Sequence, residues 1–204
     1  MARKIINLSL EEISSRLSQV LDTPPDKPLP SGLLNQQPRP AAVLIPFLHK
    51  EGEWHLLFTR RTDTLPEHSG QVAFPGGRTD PQDSSPVATA LREADEEISL
   101  KPDDVKLLGS LKRLPTITNY FVTPIVGAIP WPYEFSIKED EVSRIFTIPL
   151  KWLSDPNNHK IHQRVLSVSN KSIPVVYFKQ YDDELLWGVS ARITINLLQT
   201  LNLL

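Results

Sequence analysis

The placement of proline sets the first limit on how this chain folds. Of 19 prolines in 204 residues, six fall in DTPPDKPLPSGLLNQQPRP, between positions 22 and 40. Each fixes φ and removes an amide donor, so the stretch reads as an extended connector rather than an element. It divides the chain into an N-terminal helix and connector over 1–39 and a main domain over 40–204. Ahead of the connector, residues 9–21 read as a short helix. Ser9 and Glu12 have capping-box spacing, and Ile13, Leu17, Val20 and Leu21 form one apolar stripe.

Beyond Pro40 the pattern turns to strands. AAVLIPFL and WHLLFTR are short apolar runs joined by a KEGE turn, which predicts a hairpin. QVAF is a third short run, ended by a Pro75-Gly76-Gly77 turn. A helix is expected from about Pro86 to Ser99. VKLLGSLK, YFVTPIVGAI, RIFTIPL and IPVVYFK are further strands, and a helix from about Gly188 closes the chain. The segment PNNHKIHQ reads as a loop. Its His159 and His162 lack the carboxylate pattern of a zinc site. The four tryptophans read as packing residues, with Trp131, between two prolines, placed to line a pocket.

Composition narrows the chemistry. There is no cysteine, which excludes disulfides, thiolate metal sites and cysteine nucleophiles. Lys and Arg number 22 against 24 Asp and Glu, so a strongly basic nucleic-acid footprint is not expected. The basic start meets Glu11 and Glu12 before any signal-length apolar run. The apolar C-terminal stretch is interrupted by Arg192, Asn196, Gln199 and Asn202. The expected location is therefore the cytoplasm, with no membrane partner.

The segment PVATALREADEEIS carries the most chemical information. At roughly 100° per residue, Val87, Leu91, Ala94 and Ile98 form a tight apolar stripe, and Glu93, Glu96 and Glu97 share a separate arc. Like charges at these spacings destabilise a bare helix, and the bland reading is a solvated acidic face. A divalent cation offers a reason for the pattern, because hard cations take oxygen ligands and cancel the repulsion. Arg92 beside the cluster, and the Gly-Gly turn shortly before it, favour that second reading.

FPGG, Asp83 and LREADEEISL closely resemble the Nudix box, in which Gly and Glu precede Arg-Glu-aliphatic-x-Glu-Glu-x-Gly-aliphatic at fixed spacing. Two positions depart from it. Asp83 stands where the pattern has Glu, one residue out of register with Arg92, so counting back from Arg92 puts Ser84 there and leaves Asp83 weakly supported as a ligand. Ser99 replaces the glycine that ends the helix in a left-handed turn, at a cost of up to about 1 kcal/mol. The resemblance implies an α/β fold, an α/β/α sandwich with a mixed β-sheet. It implies Mg²⁺- or Mn²⁺-dependent hydrolysis of a diphosphate joining a nucleoside to another group. Glu93 and Glu97 would be metal ligands, Glu96 a ligand or water activator, and Arg92 the residue orienting the glutamates.

Upstream, LLFTRRTDTLPEHSGQVAFPGG resembles the signature of the coenzyme A diphosphatase branch. Leu57, Thr59, Arg61, Gly70, Val72, Phe74, Pro75, Gly76 and Gly77 are in register, while Pro66 replaces an arginine of that signature. This implies cleavage of coenzyme A or its thioesters to 3′,5′-ADP and a phosphopantetheine. Arg60, Arg61, Gly76 and Gly77 are the candidate substrate-binding residues, with His68 a further cation for the 3′-phosphate. As neighbours at a strand end, Arg60 and Arg61 are expected to diverge, one toward solvent. Glu141 (or Glu139) in KEDEVSRIFTIPL is a candidate distal acid. ADP-ribose or another nucleoside diphosphate conjugate is the alternative substrate, and a catalytically inactive nucleotide-binding module the alternative class. The expected partner is a small nucleotide, not nucleic acid, and a homodimer is compatible with the resemblance.

Overall fold

In the computed structural model, which describes residues 6–18, 38–64, 69–166 and 172–204, the run after the connector is a single strand, β1 (Arg39–Lys50). Its side chains alternate between two core clusters. Ala41, Ile45 and Phe47 enter one, and Ala42, Leu44 and Leu48 the other. A strand covered on both faces needs no polar alternation, which is why AAVLIPFL is continuously apolar. Glu51 and Gly52, at φ 52° and 80°, turn it into β2 (Glu53–Arg61). Two left-handed residues in a two-residue turn match the twist of an antiparallel hairpin.

The remaining strands of the sheet are β3 (Val72–Ala73), β4 (Gly76–Arg78), β5 (Lys106–Ser110), β6 (Leu114–Pro115), β7 (Tyr120–Ala128) and β8 (Val142–Pro149). The sheet runs β3-β2-β1-β7-β5, with β4 on β1, β6 on β7 and β8 on β2. It is mixed: β1 and β7 are parallel and the other pairs antiparallel. One edge of β1 meets β4 over residues 41–43 and β2 over residues 47–50, so the sheet forks between them. Pro46, with no amide to donate, stands at the fork, where its missing hydrogen bond costs least.

Helices cover both faces. α1 (Leu10–Ser18), α3 (Leu150–Leu153) and α4 (Gly188–Thr200) bury Ile13, Leu17, Leu150, Leu153, Leu197 and Leu198 against one. α2 (Pro86–Ile98) buries Ala90, Ala94 and Ile98 against the other. The architecture is therefore an α/β/α sandwich around a mixed sheet. α1 carries the expected capping box: the Ser9 amide donates to Glu12 Oε2 at 2.8 Å, and the Glu12 amide donates to Ser9 Oγ at 3.1 Å. Val20 and Leu21 lie outside the described residues, as does most of the connector.

Two expectations are corrected. Gly76 and Gly77 do not end the strand region in a turn; they are β4, paired with Val43 and Ala42. A Cβ at Gly76 would stand 2.4 Å from the Ala42 carbonyl, so only glycine allows this approach. PNNHKIHQ is not wholly a loop either: β9 (His159–Val165) forms a hairpin with β10 (Ser172–Phe178). β9 is exposed along nearly its whole length, so it shows no apolar alternation to read. Its histidines contact Phe178 and Tyr177. No helix among the described residues is long and apolar enough to cross a membrane.

Candidate active site

α2 is delimited by its own residues. Ser85 Oγ accepts the Ala88 amide at 3.2 Å, and Pro86 occupies the first turn, where a missing amide is harmless. At the other end Ser99 takes φ 55°, ψ 29°, the left-handed conformation of the glycine it replaces, and its amide reaches the carbonyls of Ala94 and Asp95. Between these caps the stripe of Val87, Leu91, Ala94 and Ile98 packs on the sheet. That packing turns Glu93 and Glu97 toward β4 and the end of β2, and leaves Glu96 half exposed. Asp95 points away and pairs with Lys101 at 2.7 Å.

Among the described residues Glu97 is the most deeply placed acid, 3% exposed. Its Oε2 accepts the Gly76 amide at 3.3 Å, and its Oε1 lies 3.8 Å from Arg61 Nη1, outside hydrogen-bond range. Burial pushes its carboxyl up to about 8. Arg61 and the Gly76 amide oppose the rise, while Glu93 and Glu141 add to it. Glu93 is raised for the same first reason, burial, against the pull of Arg92. Gly77 lies against it: a Cβ there would come within 2.5 Å of both Glu93 oxygens. The two glycines thus form a bare backbone floor beneath two half-compensated carboxyls.

Arg92 organises the rim. Its Nε and Nη2 fork onto Asp83 at 3.0 and 2.9 Å, and Nη2 also donates to the Arg78 carbonyl at 3.0 Å. Nη1 donates to Glu93 at 3.0 Å and to Glu96 at 3.2 Å. All five N–H groups of the guanidinium are engaged. The Asp83 side chain is largely covered, and it also accepts the Asp80 amide and the Thr89 hydroxyl, at 2.8 and 2.9 Å. The Arg92 fork is the largest cause holding its carboxyl well below the usual range. Asp83 is therefore no free ligand; it anchors the arginine that positions Glu93 and Glu96. The sequence pattern had flagged the position, but its one-residue offset hid this role.

Glu141 faces Glu93 and Glu97 closely enough to raise both, and pairs with Lys138 at 2.6 Å. The Lys138 amide in turn donates to the Glu97 carbonyl at 2.9 Å, tying this loop to the end of α2. Arg61 joins the cluster and Arg60 does not, because neighbours on a strand point to opposite faces. Arg60 is held by Asp63 at 2.8 Å, Ser143 at 3.0 Å and Glu184 at 3.6 Å. Pro66 and His68 lie outside the described residues. A cleft of about 920 Å³ along the open edge of β8 is lined by Trp131, Phe135, Arg144 and Tyr181, but by none of these acids. The chemistry points to α2 instead.

The donor set suits a hard divalent cation. Among the described residues no three acids or histidines converge into a ready cage. Mg²⁺ does not require one, since it binds through one or two carboxylates and completes its shell with water and substrate phosphate. Glu97, buried with its nearest cation outside hydrogen-bond range, and Glu93, partly buried and bonded once to Arg92, are carboxyls of that kind.

The NUDIX domain pattern matches residues 38–169. The chain is 37% identical, over its full length and theirs, to proteins described as uncharacterized Nudix hydrolase NudL from Yersinia pestis and Yersinia pseudotuberculosis. The fold is also similar to that of a MutT/nudix family protein from Enterococcus faecalis. That likeness has a TM-score of 0.52 at 15% identity, covering 94% of this chain and 69% of the other. The match over most of the chain and the box on α2 lead to one conclusion: the chain belongs to the Nudix hydrolase family, enzymes that cleave pyrophosphate bonds.

Proposed function

We propose that the chain hydrolyses the diphosphate of coenzyme A or its thioesters, releasing 3′,5′-ADP and a phosphopantetheine, with Mg²⁺ or Mn²⁺ as cofactor and in the cytoplasm. One observation carries the reading: the segment resembling the coenzyme A signature forms a wall of the acidic site. Its Arg61 approaches Glu97, its Gly76 amide binds Glu97, and its Gly77 makes room for Glu93.

Glu93 and Glu97 are the ligands in this proposal, with Glu96 at the rim. When bound, the cation screens the diphosphate, polarises phosphorus and acidifies a water. Arg92, fixed by Asp83, holds Glu93 and Glu96 in place before substrate arrives. Glu141, outside the reach of Arg92, takes the proton of the attacking water as the phosphorus–oxygen bond to the leaving phosphate breaks. Arg61 stands on the floor to meet substrate oxygens.

The test is turnover of coenzyme A, ADP-ribose, NADH and diadenosine polyphosphates, each with Mg²⁺ or Mn²⁺, followed by chromatography. Coenzyme A is expected to give the highest kcat/KM. A higher value for ADP-ribose would replace the substrate, and nucleotide binding without turnover would reduce the chain to a binding module. Glu93→Gln and Glu97→Gln should each lower kcat by roughly 10²- to 10⁴-fold with the fold intact. Near-normal rates in both would sink the ligand assignment.

A further inference from the structure

Of the cations expected to meet a 3′-phosphate, one is held elsewhere, one faces the diphosphate site, and His68 lies outside the described residues. Arg60 is tied to Asp63, Ser143 and Glu184, and Arg61 lies beside Glu97. A different pair of guanidiniums is free of such ties. Arg39 and Arg78 both stand over the Tyr120 ring, 4.9 and 5.5 Å from its centre. Among the described residues neither makes an ion pair with a carboxylate. The ring face attracts each cation but does not cancel the repulsion between two. A phosphate dianion does, and the guanidinium fork suits its oxygens.

The position of this pair is set by the ladder. Arg39 is the parallel partner of Tyr120, and Arg78 pairs with Ala41, two residues along the same strand. Arg78 follows Gly77 directly, and its carbonyl accepts Arg92 Nη2 at 3.0 Å. Successive strand residues face opposite ways, so Gly77 meets Glu93 while the Arg78 side chain points across the sheet. Among the described residues β4 pairs only with β1, and its first two residues have no side chains. The pair thus lies on the face of the sheet opposite α2, and a substrate with its diphosphate at Glu93 and Glu97 would present its ribose end to Tyr120 by passing round this bare strand edge.

We infer that Arg39 and Arg78, gathered on Tyr120, form a subsite for a phosphomonoester on the ribose of the substrate. The inference rests on the coenzyme A reading above, but binding tests it without turnover. Calorimetry compares 3′,5′-ADP with 5′-AMP, which lacks the second phosphate. The native protein should bind 3′,5′-ADP roughly 10- to 100-fold more tightly. Arg39→Gln with Arg78→Gln should erase that preference while leaving 5′-AMP binding unchanged, which also reports an intact fold. Arg113, which stands over Phe121 instead, is the control. No preference in the native protein, an unchanged preference in the double variant, or an equal loss in Arg113→Gln would overturn the subsite. Parallel turnover assays on coenzyme A and dephospho-coenzyme A separate the two questions. Failure of the native enzyme on both removes the substrate reading, whereas turnover without 3′-phosphate preference removes only the subsite.

Discussion

With Glu97 as the proposed ligand, the burial of its carboxyl makes metal binding and proton release one event. Its folded value, about 8, lies above the usual 4.5, so the metal-free protein keeps a proton that the unfolded chain gives up. The stability this contributes is complete below pH 4.5 and is lost as pH rises through about 8. The metal-free melting temperature of the native protein should accordingly fall over that window, and Glu97→Gln should flatten the fall. Mg²⁺ needs the ionised form, so its binding near pH 7 should release close to one proton, read as a buffer-dependent calorimetric heat. Heat independent of the buffer would contradict this. Asp83 has the opposite sign: held below its usual 3.8 chiefly by Arg92, it contributes stability that is lost only as pH falls to strongly acid values. Asp83→Asn should lower kcat by roughly 10- to 100-fold, because the group that aligns Glu93 and Glu96 loses its anchor. An unchanged kcat would show that Arg92 needs no anchor.

At the scale of elements, α2 was legible because its periodicity and acidic arc lie within one local segment. Ser99 shows how a departure from the pattern is absorbed, since the serine simply takes the left-handed conformation. Ser99→Gly should therefore stabilise the protein by about 0.5–1 kcal/mol, with kcat unchanged. Thermal melting should register this as a rise of roughly 1–4 °C, and a fall would mean the serine side chain has a role of its own. The β4 strand was not legible: two glycines in a row read as a turn, and only the approach of Ala42 and Val43 makes them a strand. β9 escaped for a different reason, because an exposed strand buries no face and leaves no period-2 signal. That Arg60 and Arg61 diverge follows from strand geometry. Which of them meets Glu97 is settled by distant partners, Ser143 and Glu184, which local sequence does not reveal.

For the whole molecule, the proline-rich connector hid a tertiary link. The apolar stripe of the first helix was visible in the sequence, but not its destination. Ile13 and Leu17 are fully buried in the core beneath the sheet, and Leu17 lies so close to Gly109 of β5 that a Cβ there would stand 2.9 Å away. Trp54 of β2 donates to the Leu8 carbonyl at 2.9 Å, and Arg16 bonds the Leu201 carbonyl after α4. Leu17→Ala should accordingly cost about 2–5 kcal/mol, measured by urea unfolding, while activity at 25 °C stays near normal. A loss of under 1 kcal/mol would show that α1 is peripheral to stability.

The opposed faces of the sandwich have a practical corollary. α1 docks on the side of the sheet away from α2, so a tether joined ahead of Ile6 draws the protein onto a support by its back. The acidic helix then looks outward, and an immobilised preparation should keep its access to metal.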